Sequence, residues 1–132
     1  MIVVDAGALA LAVLDDHATG DRVRTRLRGE ILYAPDLIYP EVLSVIRRQT
    51  RARTITPHRA DAAAGDLHRL PLLTAPLHSL VPRAWEFRGN VTPYDAMYIA
   101  LAESLDCVLL TTDPRLSRAP GIRCVCETAT DR

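Results

Sequence analysis

The sequence contains no lysine, and all 16 of its basic residues are arginine. This absence excludes chemistry that needs an ε-amino group, such as Schiff-base catalysis, P-loop phosphate binding and receiver-type phosphotransfer. The arginines are balanced by 16 acidic residues, so no net charge draws the chain to nucleic acid or to a membrane surface. Any attraction to a polyanion must therefore come from local clusters of arginine.

Cysteines and long apolar runs are also scarce. The three cysteines, Cys107, Cys124 and Cys126, are an odd number in strand-like contexts, which indicates reduced thiols. The Cys-x-Cys pair has no further thiol or imidazole ligands at zinc-site spacing. The N-terminus does not have the pattern of a signal peptide, and no apolar run approaches the ~20 residues of a membrane span. We therefore expect a cytoplasmic protein without a membrane association.

Short apolar runs alternate with helical patterns along the whole chain. Strands are predicted at residues 2–4, 31–33, 72–75, 107–111 and 122–125. Helices are predicted at residues 8–14, 19–28, 37–53, 57–70, 77–88 and 92–105. This alternation predicts an α/β fold in which helices cover both faces of a parallel sheet. Without a linker or repeat, the chain is expected to form one domain, residues 1–126, with a short polar tail, residues 127–132.

Acidic side chains occur where predicted strands end or predicted helices begin. They are Asp5, Glu41, Asp95 and Asp113. In an open parallel sheet these positions lie near one edge, so the four carboxylates can converge. Carboxylates that converge without a neighbouring lysine or histidine repel one another unless a hard cation lies between them. The pattern predicts a Mg²⁺- or Mn²⁺-dependent enzyme that hydrolyses phosphodiester bonds.

Each of these acids also has a purely structural explanation. Asp5 and Asp113 could cap the helical turns that follow them. Asp95 could form a capping box with Thr92, and Glu41 could be a first-turn acid favoured by the helix dipole. For any one acid the structural explanation is favoured. Four acids from separate segments at one predicted edge favour a metal site instead.

Two other classes of phosphate enzyme fail on single residues. A phosphatase of the haloacid-dehalogenase type needs a second aspartate two residues after the first, and that position is Gly7. A receiver domain needs a lysine late in the chain, and the sequence has none. Neither class fits the four acids.

The four acids lie in the segments VVDAGAL, PEVLSVIRR, PYDAMYIALAE and LLTTDPRL. These segments resemble the PIN-domain ribonucleases, and more narrowly the VapC toxins of bacterial toxin–antitoxin pairs. The resemblance spans residues 1 to about 126 and implies a PIN-like three-layer α/β/α sandwich with a central parallel sheet. It also implies RNA cleavage with Mg²⁺ or Mn²⁺, a homodimer and inhibition by a VapB-type antitoxin. The metal-binding acids would be Asp5, Glu41, Asp95 and Asp113.

The sequence departs from that family just after the first aspartate. Family members commonly carry serine or threonine there, whereas this chain has Ala6 and Gly7. A hydroxyl that would help to hold the water shell of the metal is thus missing, and Thr111 or Thr112 could partly replace it. The departure keeps open a second hypothesis, a catalytically weak or inactive PIN-like module that binds RNA or a protein partner.

Arginines cluster near the end of the third predicted helix. Arg47, Arg48 and Arg51 occupy successive turns, and Arg115 follows Asp113 closely. A positive stripe beside an acidic pocket would hold RNA phosphates. The alternative is a solvated helix end, where basic residues complement the helix dipole.

Two tyrosines, Tyr94 and Tyr98, flank Asp95 on its predicted helix. They could stack on an unpaired RNA base, as aromatic side chains do in single-strand binding proteins. The alternative is a role in the core or in a dimer contact.

Overall fold

The computed structural model of the protein describes residues 1–129, which form one five-stranded sheet and six α-helices. The strands are β1 (Ile2–Val4), β2 (Leu32–Pro35), β3 (Leu72–Ala75), β4 (Val108–Thr111) and β5 (Cys126–Thr128). The helices are α1 (Ala6–Leu14), α2 (Ala18–Leu27), α3 (Ile38–Arg51), α4 (Pro57–Arg69), α5 (Val81–Glu86) and α6 (Pro93–Leu105).

The strands are all parallel, in the order β3-β2-β1-β4-β5. β1 lies in the middle of the sheet, and its three apolar residues are completely buried, as expected of a strand covered on both faces. Val4 pairs with Leu110 of β4. The prediction of a parallel sheet is confirmed, and the carboxyl ends of β1 and β4 lie side by side.

The helices form two groups around the sheet. α1 contacts α2, α3 and α4, whereas α6 contacts α5 and packs against β1, β2 and β4. Leu9 of α1 and Ile99 of α6 are both completely buried, so each group contributes to an aliphatic core. The result is the predicted α/β/α sandwich. Among residues 1–129, no helix is long and apolar enough to cross a membrane.

Helix starts were predicted correctly where a threonine precedes a proline. Thr56 and Thr92 each accept a hydrogen bond from the backbone N–H three residues later, at 3.1 and 3.2 Å. Asp36 precedes α3 and is of a residue type that often caps helices, but its side chain does not cap α3. Leu37 occupies the cap position, and the Asp36 N–H instead donates to a carbonyl oxygen of β3 at 2.9 Å.

The predicted last strand, residues 122–125, is wrong. β5 begins at Cys126 and pairs with β4, so the sheet extends two residues into the predicted tail, residues 127–132. Glu127 accepts hydrogen bonds from Arg26 at 2.6 and 3.0 Å, which fastens this strand to α2. The last three residues of the predicted tail lie outside the described part of the chain.

Side-chain contacts explain why the more apolar segment before β5 is not itself a strand. The Gly121 carbonyl oxygen accepts a hydrogen bond from Arg83 at 2.8 Å. The Arg123 N–H donates to Glu103 at 2.7 Å. Because these backbone groups are satisfied by side chains of α5 and α6, they do not extend the sheet.

Candidate active site

Asp5 is a buried acid at the carboxyl end of β1, with 8% of its surface exposed. It caps α1, since its Oδ1 accepts a hydrogen bond from the Ala8 N–H at 2.8 Å. Its Oδ2 accepts hydrogen bonds from the Thr111 hydroxyl and, at 3.4 Å, from the Thr112 N–H. Burial raises the pKa of Asp5; these hydrogen bonds oppose the rise, and the charge of Asp95 adds to it.

Glu41 lies in the first turn of α3 and reaches across to α6. Its Oε1 accepts a hydrogen bond from the Tyr98 hydroxyl at 2.7 Å. Burial raises the pKa of Glu41; the Tyr98 hydrogen bond opposes the rise, and the charges of Asp95 and Asp5 add to it. Tyr98 itself is 1% exposed, so it has the predicted core position, whereas Tyr94 is exposed to solvent.

Asp95 lies in the first turn of α6, three residues after its cap Thr92. The Asp95 N–H bonds to the Thr92 hydroxyl, but the reciprocal bond of a capping box does not occur among the described residues. Burial raises the pKa of Asp95, and the charge of Asp113 adds to this effect. The capping box is therefore incomplete, and a hydrogen bond with the Thr92 side chain partly opposes the rise in the pKa of Asp95.

Asp113 differs from the other three acids because it has a cationic partner. Arg115 donates to its carboxylate through Nη2 at 2.9 Å and through Nε at 3.0 Å. This ion pair lowers the pKa of Asp113. The Arg115 side chain is 82% exposed, so water screens the pair strongly. Arg115, predicted to contact RNA, thus neutralises a predicted metal ligand in this structure.

The four acids form one electrostatically coupled group at the edge formed by β1 and β4. The charge of Asp95 acts on both Asp5 and Glu41, and that of Asp113 acts on Asp95. Within residues 1–129, no ion pair involves Asp5, Glu41 or Asp95.

The acidic group does not form a closed ligand shell. No three His, Cys, Asp or Glu side chains of residues 1–129 lie close enough together to hold one ion. The donors are nevertheless carboxylate and hydroxyl oxygens, which hard divalent cations prefer. The repulsion between unpaired carboxylates is also what a cation would relieve. The residues present therefore fit a Mg²⁺ or Mn²⁺ ion in chemistry.

Thr111 connects two of the acids and is completely buried. Its hydroxyl donates to Asp5 and accepts a hydrogen bond from the Asp113 N–H at 3.0 Å. The sequence indicated Thr111 only as a possible supporting hydroxyl. The bond between Tyr98 and Glu41 was missed, although Tyr98 follows Asp95 by three residues and so lies on the same face of α6.

The predicted arginines lie on an exposed part of α3. Arg47, Arg48 and Arg51 are all exposed, and no ion pair among the described residues involves them. Arg48 follows Glu41 by seven residues, which places both on one face of the helix. Arg48 also lines a cavity of about 760 Å³ between α1, α3 and α4, together with Thr112. The structure thus places Arg48 about two helical turns from Glu41 on the same helix.

Comparison with known proteins assigns the chain to a family. A family model for the PIN domain matches residues 2–122. The chain belongs to the PIN-domain family. Ribonuclease VapC3 of Mycobacterium tuberculosis is 41% identical over 120 residues, covering 89% of this chain and 86% of VapC3. Ribonuclease VapC9 of the same organism is 37% identical over 124 residues, covering 94% of each chain. These relatives place the chain among the VapC members of the PIN-domain family.

Solved structures of PIN-domain proteins confirm the fold. VapC20 of Mycobacterium tuberculosis, a sarcin–ricin-loop-cleaving toxin, gives a TM-score of 0.69 at 17% identity, covering 93% of this chain and 97% of VapC20. VapBC2 of Rickettsia felis, bound to a DNA fragment from its promoter, gives 0.66 at 13% identity, covering 97% and 98%. Dependence on a divalent metal is general among PIN-domain ribonucleases.

Proposed function

We propose that this protein is the toxin of a type II toxin–antitoxin system, an endoribonuclease that hydrolyses RNA phosphodiester bonds with Mg²⁺ or Mn²⁺. One observation carries the proposal. Asp5, Glu41 and Asp95 are coupled carboxylates at one edge of a PIN fold, and none of them has a cationic partner within residues 1–129. The identity of 37–41% to proteins named VapC ribonucleases supports the RNA substrate.

In this proposal Asp5, Asp95 and Asp113 would hold the principal metal, which requires their carboxylates to move closer together than they lie in residues 1–129 of the structure. When bound, the ion would lower the pKa of a water ligand and neutralise charge on the scissile phosphate. Asp5 is suited to this role because three hydrogen bonds fix the direction of its carboxylate. Asp113 has to exchange Arg115 for the ion.

Glu41 would position the attacking water and accept its proton. Tyr98 fixes Oε1 of Glu41 at 2.7 Å, which leaves Oε2 for the water. A raised pKa makes Glu41 a better proton acceptor than an ordinary carboxylate. Thr111 and Thr112 support this arrangement from the end of β4.

RNA would approach along the basic surface of α3. Arg47, Arg48 and Arg51 would bind backbone phosphates, and Arg115 would join them once it leaves Asp113. Such contacts position the strand without reading its sequence. Their contribution should weaken as salt concentration rises.

The proposed partners are a VapB-type antitoxin and a second copy of the chain, and the proposed compartment is the cytoplasm. The fold shared with VapBC2 of Rickettsia felis supports the antitoxin. The three free cysteines suit a reducing compartment. The homodimer rests on the resemblance to the family.

A PIN-like module that binds RNA or a partner without cleaving is the second candidate. Two observations favour it: the ion pair between Asp113 and Arg115, and the lack of three converging acids in residues 1–129. In that case the acidic group would never bind metal tightly enough for catalysis.

The deciding experiment is cleavage of a generic single-stranded RNA with Mg²⁺, with Mn²⁺ and with a chelator. We expect products that depend on the metal and disappear with the chelator. Asp95→Asn should lower the rate by roughly a thousandfold or more, because a metal ligand is lost while the side-chain shape is kept. Asp61→Asn, at an exposed acid of α4, is the matched control and should cleave normally.

Two outcomes would contradict the proposal in different ways. RNA binding by the wild-type protein without any metal-dependent product would favour the binding module. Full metal-dependent cleavage by Asp95→Asn would overturn the assignment of the acids while leaving a ribonuclease.

A further inference from the structure

The side chain of Thr112 occupies the space next to Gly7. A Cβ atom added at Gly7 would overlap Thr112 Oγ1 and lie 3.3 Å from Thr112 Cβ and Cγ2. Gly7 is in the first turn of α1, where glycine weakens the helix relative to alanine. Its backbone does not have a positive φ, so its conformation does not require glycine. A larger residue at position 7 would instead require the Thr112 side chain to shift.

Thr112 lies between two groups that the proposed function uses. Its own N–H points to Asp5 Oδ2 at 3.4 Å, and its neighbour Asp113 is a proposed metal ligand. Its hydroxyl makes no hydrogen bond within residues 1–129 and lines the 760 Å³ cavity with Gly7 and Arg48. Thr112 therefore contacts Asp5 through its backbone and carries a hydroxyl without a partner in residues 1–129, although none of the four acids lines that cavity.

The other hydroxyl at the end of β4 belongs to Thr111 and already has two hydrogen-bond partners. Thr111 donates to Asp5 and accepts from the Asp113 N–H. Its single proton is used, and its position is fixed by both partners. Positions 6 and 7, at the start of α1, carry no hydroxyl. Thr112 is thus the hydroxyl beside Asp5 that remains available for a ligand.

We propose that Thr112 is a positioning residue of the metal centre, and that Gly7 makes room for it. Its hydroxyl would accept a hydrogen bond from a water of the ion's hydration shell and so orient the ion against Asp5. Magnesium keeps several of its waters when bound to a protein. Groups that contact such outer ligands typically change metal affinity or activity by 10–100-fold. The inference rests on the proposed metal-dependent function.

The test measures Mn²⁺ binding by calorimetry and RNA cleavage on the same preparations. Thr112→Val removes the hydroxyl at constant shape and should weaken Mn²⁺ binding by roughly tenfold. Thr112→Ser keeps the hydroxyl and should bind Mn²⁺ like the wild type. Thr54→Val, elsewhere on the same cavity, is the control and should also leave Mn²⁺ binding unchanged. Wild-type Mn²⁺ affinity in Thr112→Val overturns the role of Thr112.

A second variant moves the hydroxyl from position 112 to position 7, on the α1 side of the contact between Gly7 and Thr112. In Gly7→Ser/Thr112→Ala the space vacated by Thr112 accommodates a serine on α1. We expect its Mn²⁺ affinity to recover towards that of the wild type, relative to Thr112→Ala alone. A folded double variant, verified by circular dichroism, that binds as weakly as Thr112→Ala would contradict the exchange. The Thr112→Val comparison decides the proposal if the double variant does not fold.

Different results would contradict the role of Thr112 and the proposed function. If the wild-type protein cleaves RNA with Mn²⁺ and Thr112→Val binds the ion equally well, only the role of Thr112 is wrong. If the wild-type protein neither binds Mn²⁺ nor cleaves RNA, the proposed function fails, and the role of Thr112 fails with it.

Discussion

The acidic group has two halves that differ in what balances their charge. In the unpaired half, burial raises the pKa values of Asp5, Glu41 and Asp95. The charge of Asp95 adds to this effect at Asp5 and Glu41, and that of Asp113 adds to it at Asp95. In the paired half, the exposed Arg115 lowers the pKa of Asp113. The same edge of the sheet therefore carries carboxylates that lack a cation and one that obtains it from its own chain. A bound divalent cation would therefore stabilise the unpaired half more than the paired half.

The largest expected effect is a difference in stability between variants of two acids of the unpaired half. Asp5→Ala should destabilise the metal-free protein by about 2 kcal/mol, because α1 loses its cap and the buried Thr111 hydroxyl loses its acceptor. Repulsion alone would predict the opposite sign. Asp95→Ala removes a half-buried charge without these bonds and should leave stability equal or slightly higher. Urea unfolding without divalent metal, at neutral pH, measures both variants.

If Asp5→Ala proves more stable than the wild type, burial and repulsion outweigh the hydrogen bonds at Asp5. Removing either acid of the unpaired half would then stabilise the protein, and the predicted difference between Asp5 and Asp95 would be wrong. Ser104→Ala, at an exposed serine of α6 whose hydroxyl donates to the Leu101 carbonyl oxygen, gives the background effect of losing one side-chain hydrogen bond.

A smaller effect is expected in the pH dependence of stability, which should differ between the two halves. The folded-state pKa of Asp95 is raised above its ordinary value of 3.8. Its favourable contribution is therefore complete below that value and is lost as pH rises through the folded-state pKa. Asp95→Asn should exceed the wild type in stability at neutral pH, by less than about 1 kcal/mol because water screens a half-exposed group. The difference should vanish towards pH 3, roughly the lower limit of carboxylate titration.

Asp113 should show the opposite behaviour. Its folded-state pKa is lowered from the ordinary value of 3.8, so its contribution is present above that value and is lost as pH falls through the folded-state pKa. Asp113→Asn should therefore be less stable than the wild type at neutral pH. Unfolding curves of both variants across the acidic range check the signs. Equal signs for Asp95 and Asp113 would remove the difference between the halves.

The backbone positions of the acids could be predicted from the sequence because they depend on local patterns that start or end strands and helices. A short apolar run ending in Asp5 predicts β1, and VLLT before Asp113 predicts β4. A threonine followed by proline predicts the start of α6 and hence the place of Asp95. These patterns locate each backbone position, and parallel strands then bring the positions to one edge.

Contacts between distant side chains could not be predicted in this way. The bond from Tyr98 to Glu41 joins residues 57 positions apart, and it depends on how α3 and α6 pack. The shift of β5 depends on Arg83 and Glu103, which bind the backbone of the preceding loop. The pairing of Arg115 with Asp113 depends on a side-chain conformation, and from the sequence we predicted that Arg115 contacts RNA instead.

The smallest expected effect concerns the ion pair between Arg115 and Asp113, which distinguishes the paired half. Arg115→Ala frees Asp113, and Mn²⁺ affinity should rise by no more than roughly fivefold, because so exposed a pair is weak. The same change should weaken RNA binding and flatten its salt dependence by about one phosphate contact. Calorimetry with Mn²⁺ and RNA binding at several salt concentrations measure the two effects.

Arg22→Ala is the matched control, since Arg22 is an exposed arginine of α2 that forms no ion pair within residues 1–129. It should leave Mn²⁺ affinity unchanged. An unchanged Mn²⁺ affinity in Arg115→Ala as well would mean that Arg115 does not compete with the metal. An unchanged salt slope would mean that Arg115 does not contact RNA. If both held, the ion pair would only shape the turn after β4, and Asp113 would be as available to a metal ion as the buried acids.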